Sequence, residues 1–183
     1  LRALQPEIDR AIDRGAAYLM RTQLRDGSWS TEAGVRRNGI TALCAYTLMK
    51  SGIPAAHPAV RHALVYLEQT PPEDTYSTGC QLLAFGATGD PRYHALMKPL
   101  VADLASWHRG GAWGYPKQWR DAHGHTGLHD TEDLSATQIA ALGLWSAHHA
   151  GVAVPAETWK AMFAAPLRHQ EVRRMADVPN STG

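Results

Sequence analysis

Residues 14–29 read Arg14-Gly15-Ala16-Ala17-Tyr18-Leu19-Met20-Arg21-Thr22-Gln23-Leu24-Arg25-Asp26-Gly27-Ser28-Trp29. The first half of this stretch ends an amphipathic helix over residues 6–22. Pro6 suits its first turn, and Ile8, Ile12, Ala16 and Leu19 fall on one stripe at helical spacing, with Glu7, Asp9, Arg10, Asp13 and Arg14 largely elsewhere. Tyr18 and Leu19, at the helix end, are placed to face a neighbour. Gln23 follows with two donors and an acceptor to give to nearby helix ends. Gly27 permits a tight turn, and Trp29 offers a large flat surface to pack on the Gln23 side chain. The stretch therefore reads as a staple between helices.

Working outward, the periodicity stays helical almost throughout, and no stretch alternates as a strand would. The helices fall into two types. Residues 57–69, 91–107 and 155–164 are amphipathic like 6–22, and each carries a proline near its start: Pro58, Pro91 and Pro155. Pro99 inside the second of these is expected to kink or split it. Residues 40–49, 78–88 and 139–147 are instead apolar nearly all round, which requires cover on every side. Thr41 to Gly52, Thr78 to Gly89 and Ala140 to Gly151 each span 11 residues, and each glycine suits the left-handed position after a helix. The repeating unit is a buried helix, a glycine, a short proline-containing link and an amphipathic helix. Its offset is 37 residues between the first two copies and 62 between the second and third, the excess lying in the Gly-, His- and Trp-rich residues 109–130. Such helix pairs stack into solenoids or close into rings, with an inner buried layer and an outer amphipathic one. Residues 1–165 form this helical domain and residues 166–183 read as a tail.

The quoted stretch resembles the QW motif of the squalene and hopene cyclases: a basic residue, a small residue, an aromatic–aliphatic pair, Gln, then Gly-x-Trp. Gly110-Gly111-Ala112-Trp113-Gly114-Tyr115-Pro116 is a degenerate second copy that keeps Gly-x-Trp and lacks the Gln. In that family the motif clamps helix pairs and is not the catalytic centre. The resemblance implies an all-α fold, an (α/α) toroid of antiparallel helix hairpins. The helices here number about half those of a closed ring, so it also implies a partial ring, a fragment of a longer protein, or a half completed by another copy or a partner.

Class II terpenoid cyclases protonate an alkene or epoxide with the middle carboxyl of an Asp-x-Asp-Asp motif. The resemblance places that motif at Asp130-Thr131-Glu132-Asp133, with Glu132 as the acid and Asp130 and Asp133 in support. Glu132 departs from the pattern, being one methylene longer and a weaker acid than Asp. The residues alone also suit a different role, because Asp130, Asp133 and Ser135 are good helix N-terminal residues. Trp145, Trp113 and Tyr115 are candidates to line a cavity for an isoprenoid or other hydrophobic ligand, since ring faces stabilise carbocations; ordinary core packing is the alternative for each. Two further readings share the fold: a non-catalytic helical-repeat binding module, and a protein prenyltransferase β-like subunit in which Asp133 stands for one zinc ligand although no Asp-x-Cys follows it.

The remaining features narrow the field. Eighteen basic against 17 acidic residues give a net charge of +1, which supplies no field to draw in nucleic acid. The basic run from Arg168 to Arg174 reads as a solvated tail. Cys44 and Cys80 sit in apolar segments as small core residues, with neither a disulfide framework nor a CxxC zinc pattern. His123, His125 and His129, near Asp121, lack a second arm of metal ligands, so no metal and no cofactor is expected. No apolar run reaches the roughly 20 residues of a membrane span, which points to a cytoplasmic or membrane-peripheral protein; Leu1 in place of Met leaves room for a removed signal peptide.

Overall fold

The computed structural model describes residues 4–30, 37–114, 119–120, 126–127 and 132–169. These residues form seven α-helices: α1 Gln5–Thr22, α2 Arg37–Lys50, α3 Pro58–Gln69, α4 Thr75–Ala87, α5 His94–Trp107, α6 Leu134–His149 and α7 Ala156–His169. A 3-10 turn at Pro91–Tyr93 leads into α5. One feature is not helical. Within the expected insert, Trp119–Arg120 and Thr126–Gly127 pair as an antiparallel ladder two residues long. No described helix is long and apolar enough to cross a membrane. The chain is all-α in character.

The apolar helices α2, α4 and α6 lie side by side, with α4 between the other two; α3 packs on α2 and α4, α5 on α4 and α6, and α1 on α2. Small residues set how closely the three approach. A Cβ on Gly143 of α6 would stand 2.7 Å from the Cα of Gly79 on α4, and one on Gly39 of α2 would stand 2.9 Å from Ser77 Oγ of α4. The core built around them includes Leu48, Leu64, Leu67, Leu82, Phe85, Met97, Leu104 and Leu144.

The expected terminators are in place. Gly52, Gly89 and Gly151 all have positive φ, at 88°, 64° and 92°. After α2, Gly52 N–H donates to Met49 O and Ile53 N–H to Leu48 O; after α6, Gly151 donates to His148 O and Val152 to Ala147 O. These paired bonds satisfy the last carbonyls of each helix. At the other end of α4, Asp74 accepts from Ser77 N at 2.9 Å.

Four expectations are corrected by the coordinates. Pro99 does not split the helix: α5 runs unbroken from His94 to Trp107 with Pro99 in its second turn. The helix expected to end near Ala164 continues through Pro166 to His169. Tyr18 does not face a neighbouring helix: it is 56% exposed, with the Arg21 guanidinium 5.6 Å from its ring centre. Full cover of the apolar helices holds for α4 alone. Leu43 on α2 and Leu142 and Trp145 on α6 stand exposed, because α4 has a neighbour on both flanks and the other two do not. The outermost helices are bare as well, with Leu4, Ile8 and Ile12 exposed along α1 and Phe163 on α7 77% exposed.

Gly15 gives a simple prediction. It is an exposed, helical residue in α1, and a Cβ there meets nothing within 4 Å. Gly15→Ala should therefore raise the stability by about 0.5–1 kcal/mol through helix propensity, read as a higher urea midpoint at unchanged slope.

Candidate functional site

The two Gly-x-Trp turns come first, because the second of them builds the site. Trp29 is buried; its Nε1 donates to Leu19 O at 2.9 Å and its backbone N–H to Thr41 Oγ1 at 3.0 Å. Gln23 Nε2 donates both to Gly27 O at 2.9 Å and to Ala59 O at 2.8 Å, tying the turn after α1 to the first turn of α3. Gly27 has φ +86°, and a Cβ there would collide with the His62 carbonyl of α3. The second turn repeats this scheme. Trp113 Nε1 donates to Leu104 O at 2.9 Å, Trp113 N–H donates to Thr137 Oγ1 at 2.9 Å, and Gly111, with φ +95°, lies against the Ala161 backbone of α7. Only the Gln is missing, and the second turn keeps its seat without it.

Trp113 thereby fixes the head of α6. Its carbonyl accepts from the Asp133 backbone N–H at 2.9 Å. The residue is 1% exposed and its ring meets that of His108 edge-on at 5.4 Å, so it packs in the interior. Burial pushes the His108 pKa down, in keeping with its Nδ1 accepting from Gly111 N–H at 3.2 Å.

Asp133 is the N-cap of α6. Oδ1 accepts from Ser135 Oγ at 2.6 Å and from Ala136 N–H at 2.8 Å, and these bonds hold its carboxyl below the usual carboxylate range. A carboxylate held ionised in this way favours a helix N-terminus and gives up no proton near neutrality. Glu132, one residue earlier, is exposed and borders a cavity of about 260 Å³ with Ala112, Leu134, Thr137, Ala165 and Pro166. Asp130 and Tyr115 lie outside the described residues, as do His123, His125, His129 and Asp121.

Trp145 is on the same helix and far from the acids. It stands 11 residues beyond Leu134, about 16 Å along the axis at 1.5 Å per residue. It is 52% exposed and lies against His149, with ring centres 4.0 Å apart and planes inclined by 37°. Both border a cavity of about 360 Å³ at the C-terminal ends of α2, α4 and α6, together with Tyr46, Lys50, Asp90 and His94. The Lys50 ammonium sits 5.4 Å from the centre of the Tyr46 ring. The structure thus keeps Glu132 and Asp133 together, places Trp113 beneath them as their support, and puts Trp145 at the opposite end of α6.

Sequence reasoning missed Tyr46, Lys50 and His94 as companions of Trp145. For Tyr46 and Lys50 the signal is position, since they stand as far before Gly52 as Trp145 and His149 stand before Gly151; His94, at the start of α5, carries no such mark. Among the described residues, no three His, Cys, Asp or Glu side chains converge in a way suited to a metal ion. Burial raises the Cys44 thiol to about 11 and the Cys80 thiol to about 12, which leaves both as unreactive thiols near neutral pH. Comparison with protein-family models, with curated proteins and with solved structures found no match for the chain.

The capping role of Asp133 predicts a pH dependence. Its folded pKa lies below the 3.8 of an unperturbed aspartate, so its contribution is complete above that value and disappears as pH falls through the lower folded one. Asn caps a helix about as well as Asp but carries no charge. Asp133→Asn should therefore be less stable than wild type by about 0.3–1 kcal/mol at neutral pH, and the gap should close in strong acid. Urea unfolding of both proteins across this range checks it.

Proposed function

We propose that the chain is an arc of an (α/α) toroid of the squalene–hopene cyclase type, and that it binds an isoprenoid or similar hydrophobic ligand without cyclising it. The observation that carries the second half is the setting of the α6 head: Glu132, in the position of the acid, is exposed, and Asp133 beside it spends its carboxylate on capping, where alkene protonation needs a strong acid in a dry cavity. Support for the arc comes from the two Trp turns, which join successive helix pairs by the same bonds. The ligand is assigned to the cavity of Tyr46, Lys50, Trp145 and His149, which sets aromatic faces beside the Lys50 ammonium and suits an apolar chain with a polar or anionic end. The uncovered flanks of α1 and α7 suit further helices of the ring, from a partner or a second copy.

A class II cyclase remains the second reading because Glu132 borders a mainly apolar cavity. Incubation with squalene and with geranylgeranyl diphosphate separates the two. We expect saturable quenching of tryptophan fluorescence by the diphosphate, weakened at least about tenfold in Trp145→Ala, and no cyclised product by mass spectrometry. A cyclised product that vanishes in Glu132→Gln overturns the binding reading in favour of the cyclase.

A further inference from the structure

The amphipathic helices α1, α3 and α5 are covered very unequally. α3 buries Val60, Leu64 and Leu67, and Gln81 Nε2 of α4 ties its end by donating to Leu67 O at 2.7 Å. α5 buries Met97, Leu100 and Leu104. α1 buries Ala16 alone, near its end, and every residue from Leu4 to Gly15 is exposed. About three turns of helix standing free in water are marginal, since most helical stability comes from packing an apolar face. This free part has such a face. Leu4, Ile8, Ala11, Gly15 and Tyr18 recur at alternating steps of four and three residues, the spacing of a two-helix seam. Glu7 and Arg14, one residue ahead of Ile8 and Gly15, lie along one flank of that seam with opposite charges. Among the described residues neither takes part in an ion pair.

We propose that α1 is a dimerisation surface, on which α1 of a second copy lies antiparallel about a twofold axis. Such a contact is reciprocal: what one residue meets across the axis, its counterpart meets in return. Ile8 then faces Ala11 of the second copy and Leu4 faces its Gly15, so each large residue meets a small one and the helices approach closely. In an antiparallel pair each flank faces the same flank of the other helix. Glu7 of each copy therefore stands beside Arg14 of the other, and two ion pairs close along the seam. In a parallel pair that flank would meet Gln5, Ile12 and Leu19, which carry no charge. The charges thus choose the antiparallel pair, and they select a second copy as the cover of α1 independently of any ligand. A seam of about four turns buries less than the roughly 1,200–2,000 Å² of a stable complex, so the dimer is weak, with a dissociation constant of about 10–100 μM expected.

Sedimentation of the full chain from about 5 to 500 μM, at low ionic strength where surface charges are least screened, tests this. The mass should rise with concentration from one chain toward two. Ile8→Glu, which sets a charge inside the seam, should weaken association at least about tenfold. Glu7→Arg or Arg14→Glu alone places like charges together at both ion pairs and should weaken it at least about fivefold. The double variant Glu7→Arg with Arg14→Glu should return to within about threefold of the wild type. All three residues are exposed in the single chain, so these changes leave its core intact. A single-chain mass throughout, read on the wild type alone, overturns the pairing and leaves the face to a helix of another protein. A dimer that neither Ile8→Glu nor a single charge reversal weakens forms elsewhere and also overturns it. So does a double variant that fails to regain association.

Discussion

Trp29→Ala should lose about 3–5 kcal/mol of stability, a large share of the roughly 5–15 kcal/mol that a domain of this size holds. The indole is buried between α1 and α2, and its removal empties a space that the surrounding helices cannot refill, since Thr41 stays bonded to Arg37 O and Leu19 O to Thr22 Oγ1. The rest of α1 has little to hold it. Its only fully buried helical residue is Ala16, and Ile8 and Ile12 face outward. Trp29→Phe divides the effect: it keeps most of the buried ring and leaves Leu19 O without its donor, so a smaller loss of about 1–3 kcal/mol is expected. Equilibrium urea unfolding gives both values. A loss below about 1 kcal/mol for Trp29→Ala would mean that the turn lies on the surface of the fold and does not hold it.

Gly143→Leu should prevent folding, and even Gly143→Ala should cost about 3 kcal/mol. The ordinary expectation has the opposite sign, because alanine is the better helix residue by about 1 kcal/mol. At Gly143 the obstacle is backbone: the added Cβ would stand 2.7 Å from Gly79 Cα and 2.8 Å from Gly79 O, and neither can rotate aside as a side chain does. Relief requires α4 and α6 to move apart, which strips contacts from Leu82, Cys80, Ala140 and Leu144 together. Circular dichroism and thermal unfolding of Gly143→Ala beside Gly15→Ala should show opposite shifts from the same chemical change, because one glycine faces open space and the other faces a helix.

The alternation of helix types was legible because hydrophobic periodicity and the glycine terminators are local signals. Gly52, Gly89 and Gly151 each fall after the helix that the pattern marks, and most helix limits fall within about three residues of those expected, the start of α6 and the end of α7 missing by five each. Gln23 and Trp29 were legible as a staple for the same reason, since most of their bonds reach no further than the adjoining helices. Cover was not legible. The pattern identifies Ile8, Leu142 and Trp145 as apolar but says nothing of what stands beside them, and in the folded chain all three are exposed. Distance along a helix was also misjudged as a grouping. Glu132 just precedes α6 and Trp145 lies in its later turns, and the rise of that helix carries them to separate cavities. Gln81 escaped notice because its partner, Leu67, lies across a proline-rich joint where no motif marks the pairing.

The central claim is that the buried indoles of Trp29 and Trp113 lock α1 to α2 and α5 to α6 through bonds to Leu19 O and Leu104 O. Hydrogen exchange of the indole N–H groups measures this directly, with each signal assigned by a single Trp→Phe substitution. The account predicts that Trp29 and Trp113 exchange only through large-scale unfolding, with protection close to that of the slowest backbone amides, while half-exposed Trp145 exchanges at nearly the free rate. Rapid exchange at Trp29 or Trp113 under native conditions would contradict it.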